Sequence, residues 1–187
     1  ISYKNLQSEL YLRKKDYEKC IDVANDILNF WQGEYDTFMF KAAALSSLKR
    51  HREAIDVYAI LLNNFTHTEI LYNNIAFEQI YTNEWEAAKK NFRAAIRLNP
   101  EFAYPWDNMG YVYYLEKNYD EALKLINNSI LLDPSNSWAY KNRAIVYLAT
   151  GKRDEARSDL YRANELGYSR VYDEEVNELL RTEFNEH

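Results

Sequence analysis

The stretch Trp106-Asp107-Asn108-Met109-Gly110-Tyr111-Val112-Tyr113, followed by Tyr119-Asp120-Glu121-Ala122 and Asp133-Pro134, reads as two helices and the turn that ends them. Steps of three and four residues return to one side of a helix. Trp106, Gly110 and Tyr113 therefore share a face, and Ala122, Ile126 and Ser129 share a face on the second helix. Small Gly110 and Ala122 let the two helices approach closely, and the large rings fill the space on either side. Asn118 stands before the second helix with Glu121 three residues on, a capping-box pattern. Pro105 falls in a first helical turn, where its missing N–H costs little, and Pro134 follows a helix end.

Working outward, the same pattern recurs in blocks of 34 residues that begin at Ile1, Tyr35, Glu69, Ala103 and Ser137, with no insertions. The eighth residue is Ser8, Ala42, Ala76, Gly110 or Ala144, and the twentieth is Cys20, Ala54, Ala88, Ala122 or Ala156, always small. The fourth is Lys4, Phe38, Tyr72, Trp106 or Tyr140, and the seventeenth is Tyr17, His51, Trp85, Tyr119 or Arg153. Pro100 and Pro134 punctuate equivalent turns, and Gly151 separates the helices of the fifth block. This predicts helix pairs at 2–14/17–30, 36–48/51–64, 70–82/85–98, 104–116/119–132 and 138–150/153–166. One pair alone leaves apolar surface bare, so each must stack on its neighbour. Lys4, Ala24, Gln32 and Thr66 depart from the pattern, and the first two blocks are placed by register.

Four glycines and three prolines among 187 residues suit helices joined by short loops, and 17 tyrosines suit thin, half-exposed helical layers. Most of the net charge of −6 falls in the last segment, where Asp173, Glu174, Glu175, Glu178, Glu183 and Glu186 face only Arg181. No basic face of the size a phosphate backbone demands follows from this balance, so nucleic acid is not an expected partner. The one cysteine, Cys20, excludes an internal disulfide and a cysteine zinc site; a small buried residue is expected there. No run approaches a membrane span. Few cysteines and no visible signal fit a cytoplasmic location, although the chain opens on Ile1, as a trimmed one would.

On these residues the chain resembles the tetratricopeptide repeats. Blocks three to five match the family pattern best, block four at nearly every marked position. The resemblance implies an all-α, right-handed α-solenoid of antiparallel helix pairs, with five repeats at 1–34, 35–68, 69–102, 103–136 and 137–170. Residues 171–187 read as an acidic amphipathic capping helix, with a partner-binding helix as the alternative: Gly167 stops a helix, and Tyr172, Val176, Leu179 and Leu180 make one apolar stripe.

The resemblance further implies that first helices line a concave groove. Its large groups are Ile70, Tyr104 and Trp138 at the second position, Phe77, Tyr111 and Ile145 at the ninth, and Ile80, Tyr114 and Leu148 at the twelfth. Asn74, Asn108 and Asn142 recur at the sixth, resembling the asparagine ladder of peptide-binding members, whose amides hydrogen-bond an extended backbone. Some members hold a C-terminal carboxylate with Lys, Arg and Asn. Here Asn5, Glu9 and Phe40 occupy the early positions, and Glu9 would repel a carboxylate; Lys141 and Asn142 are a fragment of such a site. The expected function is a protein-interaction scaffold that binds a partner peptide or helix in the groove. The alternative is self-assembly through exposed repeat ends. Pentatricopeptide RNA binders are set aside because their usual period is 35. No enzyme, cofactor or metal site is expected: His51 sits at a packing position, His67 in a turn and His187 at the terminus.

Overall fold

The computed structural model describes residues 2–30, 35–64, 68–171 and 174–184, with side chains for 6–29, 35–64, 68–169 and 174–184; among them every regular element is a helix. The first helices are α1 (Ser2–Arg13), α2 (Tyr17–Phe30), α3 (Tyr35–Ser47), α4 (His51–Asn64), α5 (Thr68–Tyr81) and α6 (Trp85–Leu98). They are followed by α7 (Tyr104–Leu115), α8 (Tyr119–Leu132), α9 (Ser137–Ala149), α10 (Arg153–Glu165), the short α11 (Tyr168–Val171) and α12 (Glu175–Phe184). The observed ends fall within two residues of those predicted from spacing.

The backbone repeats more faithfully than the side chains do. Lys15, Lys49, Asn83, Lys117 and Gly151 all take the left-handed conformation, φ 59°, 60°, 61°, 62° and 76°, at 34-residue intervals. Each closes a Schellman turn. Lys117 N–H donates to Tyr114 O at 2.8 Å and Asn118 N–H to Tyr113 O at 2.9 Å; Lys15/Asp16, Lys49/Arg50, Asn83/Glu84 and Gly151/Lys152 repeat the pair. Four of these five sites lack glycine, although left-handed backbone costs an L-residue ~1–2 kcal/mol. The turn also limits the expected capping box. Asn118 Oδ1 accepts from Glu121 N–H at 3.4 Å, but Asn118 N–H is spent on Tyr113, and Glu121 turns to Lys124 at 3.3 Å.

Contacts divide the chain into two compact units, 1–95 and 96–187. In the first, α1 packs on α2, α2 on α3, α3 on α4 and α4 on α5, around Cys20, Leu45, Leu61 and Leu71. Cys20 is a buried free thiol whose Sγ lies 3.7 Å from Phe40 O; burial pushes it up to about 11. His51 Nδ1 meets the buried Glu78 Oε2 at 2.7 Å, and its ring stacks on Tyr81 at 4.7 Å. His67 and His187 lie outside the described residues.

In the second unit α7 packs on α8, both contact α9, and α9 packs on α10. A Cβ on Gly110 would stand 2.6 Å from Ile126 Cγ1 and 3.0 Å from Ala122 O, so this crossing leaves no room for a side chain. Two equivalent turns are tied alike: Trp106 Nε1–H donates to Pro100 O at 3.1 Å, and Tyr140 O–H to Pro134 O at 3.3 Å. Arg143 of α9 grips Asp159 of α10 through Nε and Nη2, at 2.7 and 2.8 Å, and reaches Asn127 of α8 at 2.7 Å. On α12, Val176 and Leu180 are buried with Leu160, Ala163 and Tyr168, while Glu174, Glu175 and Glu178 stay exposed. Arg153 reaches back to Glu183. Tyr172, read as part of the same stripe, lies outside the described residues.

Candidate functional site

The second unit gathers most of the singled-out side chains. On α7, Tyr104 is 39% exposed and tilts against Phe102 at 5.6 Å. Further along the helix, half-buried Tyr111 and Tyr114 stack at 5.8 Å with planes 20° apart, and Tyr114 meets Tyr119 of α8 at 6.1 Å. On α9, half-buried Trp138 stands edge-on to Tyr168 at 5.0 Å. The rings of Tyr111 and Trp138 thus lie on adjacent first helices, and Lys141 sits between them.

Lys141 is only 4% exposed. Its ammonium lies 5.5 Å from the centre of Tyr111, 5.3 Å from Trp138 and 6.0 Å from Tyr168, and pairs with Glu175 Oε2 at 2.9 Å. A buried ammonium needs an opposite charge and polarizable surroundings, and these supply both. Tyr168 O–H donates to the same carboxylate at 3.2 Å. Burial, and secondarily the Glu175 charge, hold the Tyr111 hydroxyl above its usual range.

A polar network joins the same helices. Fully buried Asp107 accepts from Ser129 Oγ at 3.0 Å and Asn136 Nδ2 at 2.9 Å on one oxygen, and from Asn142 Nδ2 at 3.1 Å on the other. Asn136 also caps α9 by accepting from Trp138 N–H at 3.1 Å. Burial raises the Asp107 carboxyl to about 7 against the lowering effect of its three donors.

The three asparagines differ in setting. Asn142 is 2% exposed and engaged with Asp107, and Asn108 is also buried. Asn74, on α5 in the first unit, is half-buried and accepts from Asn73 at 3.3 Å. Nearby on α5, Ile70 is half-buried and Phe77 stands edge-on to Tyr81 at 5.2 Å.

Three participants were not singled out from the sequence. Asp107 stands at the fifth block position, where the other blocks have Asn5, Met39, Asn73 and Lys141, so no periodic signal marks it. Tyr168 and Glu175 belong to the segment that closes the array, where no fixed register told which groove residue they meet.

Two sequence matches to the tetratricopeptide repeat family cover residues 70–102 and 103–136. The fold agrees with solved structures of that class. The thermophilic TPR protein TTC0263 of Thermus thermophilus superposes with a TM-score of 0.79 at 16% identity, over 94% of each chain. PilF of Pseudomonas aeruginosa gives 0.72 at 15% identity, over all of this chain and 92% of its own. YrrB, described as a TPR protein with an unusual peptide-binding site, gives 0.57 at 17% identity, over 86% and 82%. At these identities the likeness speaks for the fold. No curated protein matches by sequence. Residues 70–136 thus match the tetratricopeptide-repeat family, and the fold is the all-α one of antiparallel helix pairs seen in solved structures of that class.

No helix among the described residues is long and apolar enough to cross a membrane, and no cluster of three metal-ligating side chains occurs among them.

Proposed function

We propose that this protein is an interaction scaffold that holds a partner peptide or helix on the first-helix faces. The contact surface in the second unit is Tyr104, Tyr111, Tyr114 and Trp138, with Lys141, Asn108 and Asn142 as its floor. Ile70, Asn74 and Phe77 act at equivalent positions of α5. The observation that carries this reading is a set of large part-exposed rings already held by ring contacts, Tyr111 on Tyr114 and Trp138 against Tyr168, on helices that the buried Asp107 and Asn142 tie together. Such rings offer area at little entropic cost, which is what anchors an apolar segment. YrrB, a solved structure of similar fold, is described as having a peptide-binding site, which lends the reading general support.

A calorimetric screen of apolar peptides against the wild type and an Asn108→Ala/Tyr111→Ala double variant tests it. Binding weakened at least tenfold supports the groove; binding unchanged in a folded variant removes it.

A second reading, self-association, rests on α1. Leu6 and Leu10 are 58% and 46% exposed, whereas Ala44, Glu78, Val112 and Val146, which match Leu10 in the other blocks, are buried. Light scattering across concentration decides: a strict monomer that becomes no more soluble on Leu6→Glu/Leu10→Glu substitution discards it.

A further inference from the structure

The Asp107 carboxyl reaches the proposed contact surface only through Asn142, and its geometry gives it a distinct task. We infer that Asp107 is a positioning residue: one buried carboxyl joins α8 through Ser129, the α8–α9 turn through Asn136 and α9 through Asn142 to α7, and so sets where Trp138 and Lys141 stand relative to Tyr111. This regulates the same surface, and in that respect rests on the groove reading.

Three features separate it from an ordinary buried hydrogen bond. Its donors come from three successive chain elements, so nothing local would assemble them. Asn136 both donates to Asp107 and caps α9 at Trp138, so a slip at the carboxyl moves the helix that carries the ring. Finally, no opposite charge pairs with it among the described residues. The charged groups on the elements packed around it are engaged elsewhere or lie at exposed ends. On α8, Glu121 pairs with Lys124, and Asp120 is exposed. In the turn, Asp133 binds Ser135. On α9, Lys141 pairs with Glu175 and Arg143 with Asp159.

The joint is therefore proton-linked, and the sign follows from the raised carboxyl. Closed, Asp107 titrates near 7; opened to water it returns toward its ordinary 3.8. Closure is favoured fully below about 4, loses ground as pH rises through the interval, and levels off above about 7. A neutral acid is accommodated because the Ser129 hydroxyl can turn from donor to acceptor. The amide of Asp107→Asn is accommodated if Asn142 flips to present its oxygen.

The test is carbon-13 and side-chain amide NMR of the full chain between pH 4 and 8. Expected are an Asp107 carboxyl midpoint well above the ordinary Asp range and Asn136 and Asn142 amide signals that move with it. After correction for intrinsic exchange, amide opening in the first turn of α9 should rise by up to roughly tenfold per pH unit across the interval. Asp107→Asn should erase that slope, and Ser129→Ala, which removes one donor, should move the midpoint upward. An Asp107 midpoint near 4, or the same slope in Asp107→Asn, overturns the inference. A labelled helical peptide with leucines at i and i+4 serves as the binding arm. Titration without peptide binding at any pH leaves the pin standing and sinks the groove reading instead.

Discussion

Glu78 and Asp107, a buried carboxylate from each compact unit, are compensated in opposite ways. Glu78 in the first unit faces the His51 ring nitrogen at 2.7 Å. Asp107 in the second takes its side-chain hydrogen bonds from a hydroxyl and two amides. Burial raises both, and for Glu78 the His51 contact is the largest opposing influence. Glu78 leans on a ring nitrogen and the Ser46 hydroxyl, so its joint depends on that ring's presence; Asp107 leans on a hydroxyl and side-chain amides, so its joint answers to the solvent's proton activity. The two joints therefore answer to different perturbations although they serve the same architecture.

The sharpest break in this comparison is His51→Ala. It strips the buried Glu78 carboxyl of a hydrogen-bond partner and removes a ring stacked on Tyr81, and should cost about 3 kcal/mol, read by urea unfolding, with part of the loss recovered in acid as Glu78 protonates. Gly110→Ala comes next. The added methyl meets Ile126 and the Ala122 carbonyl, so α7 and α8 must part, costing ~2 kcal/mol, whereas filling the open space at Gly151 would show only backbone strain.

Asp107→Asn should do the reverse of His51→Ala. Its stability relative to the wild type should rise with pH from 4 to 7, by up to about 1.4 kcal/mol per pH unit, and level off above 7. The difference between the thermal midpoints of the two proteins would change with pH over that interval; parallel curves would contradict the difference between the joints. The smallest effect is a control common to both units. Lys49→Gly and Lys117→Gly relieve left-handed backbone and should each stabilise by about 0.5–1 kcal/mol, equally in either unit.

The helix pattern was legible because packing leaves a mark at fixed spacing. Ser8, Ala42, Ala76, Gly110 and Ala144 are all buried, as are Cys20, Ala54, Ala88, Ala122 and Ala156. Even block one, where Lys4 breaks the pattern, keeps its helix ends and its left-handed turn. The turns show why side-chain identity is a weaker guide than register: Lys, Lys, Asn, Lys and Gly adopt one conformation because the flanking helices impose it.

The candidate site was legible only as a list of first-helix positions. Tyr104, Tyr111, Tyr114 and Trp138 were named from register, and the structure places all four at least partly exposed. Asn142 was named by the same rule, yet its amide is turned inward to Asp107, because a buried carboxyl binds it more strongly than water-facing solvent contacts would. Lys141 looked like half of an anion clamp. In the folded chain its charge is already matched by Glu175 and walled by three rings.

What the amino-acid order determined by itself is the helical repeat: spacing of small and large residues dictates which faces can pack, and this is local chemistry repeated every 34 residues. What tertiary structure alone decided is the state of the polar groups at the joints. Whether Asp107 is ionised, where the Asn142 amide points and what neutralises Lys141 depend on partners up to 35 residues away, and such groups are set by the surroundings they are buried in rather than by their neighbours along the chain.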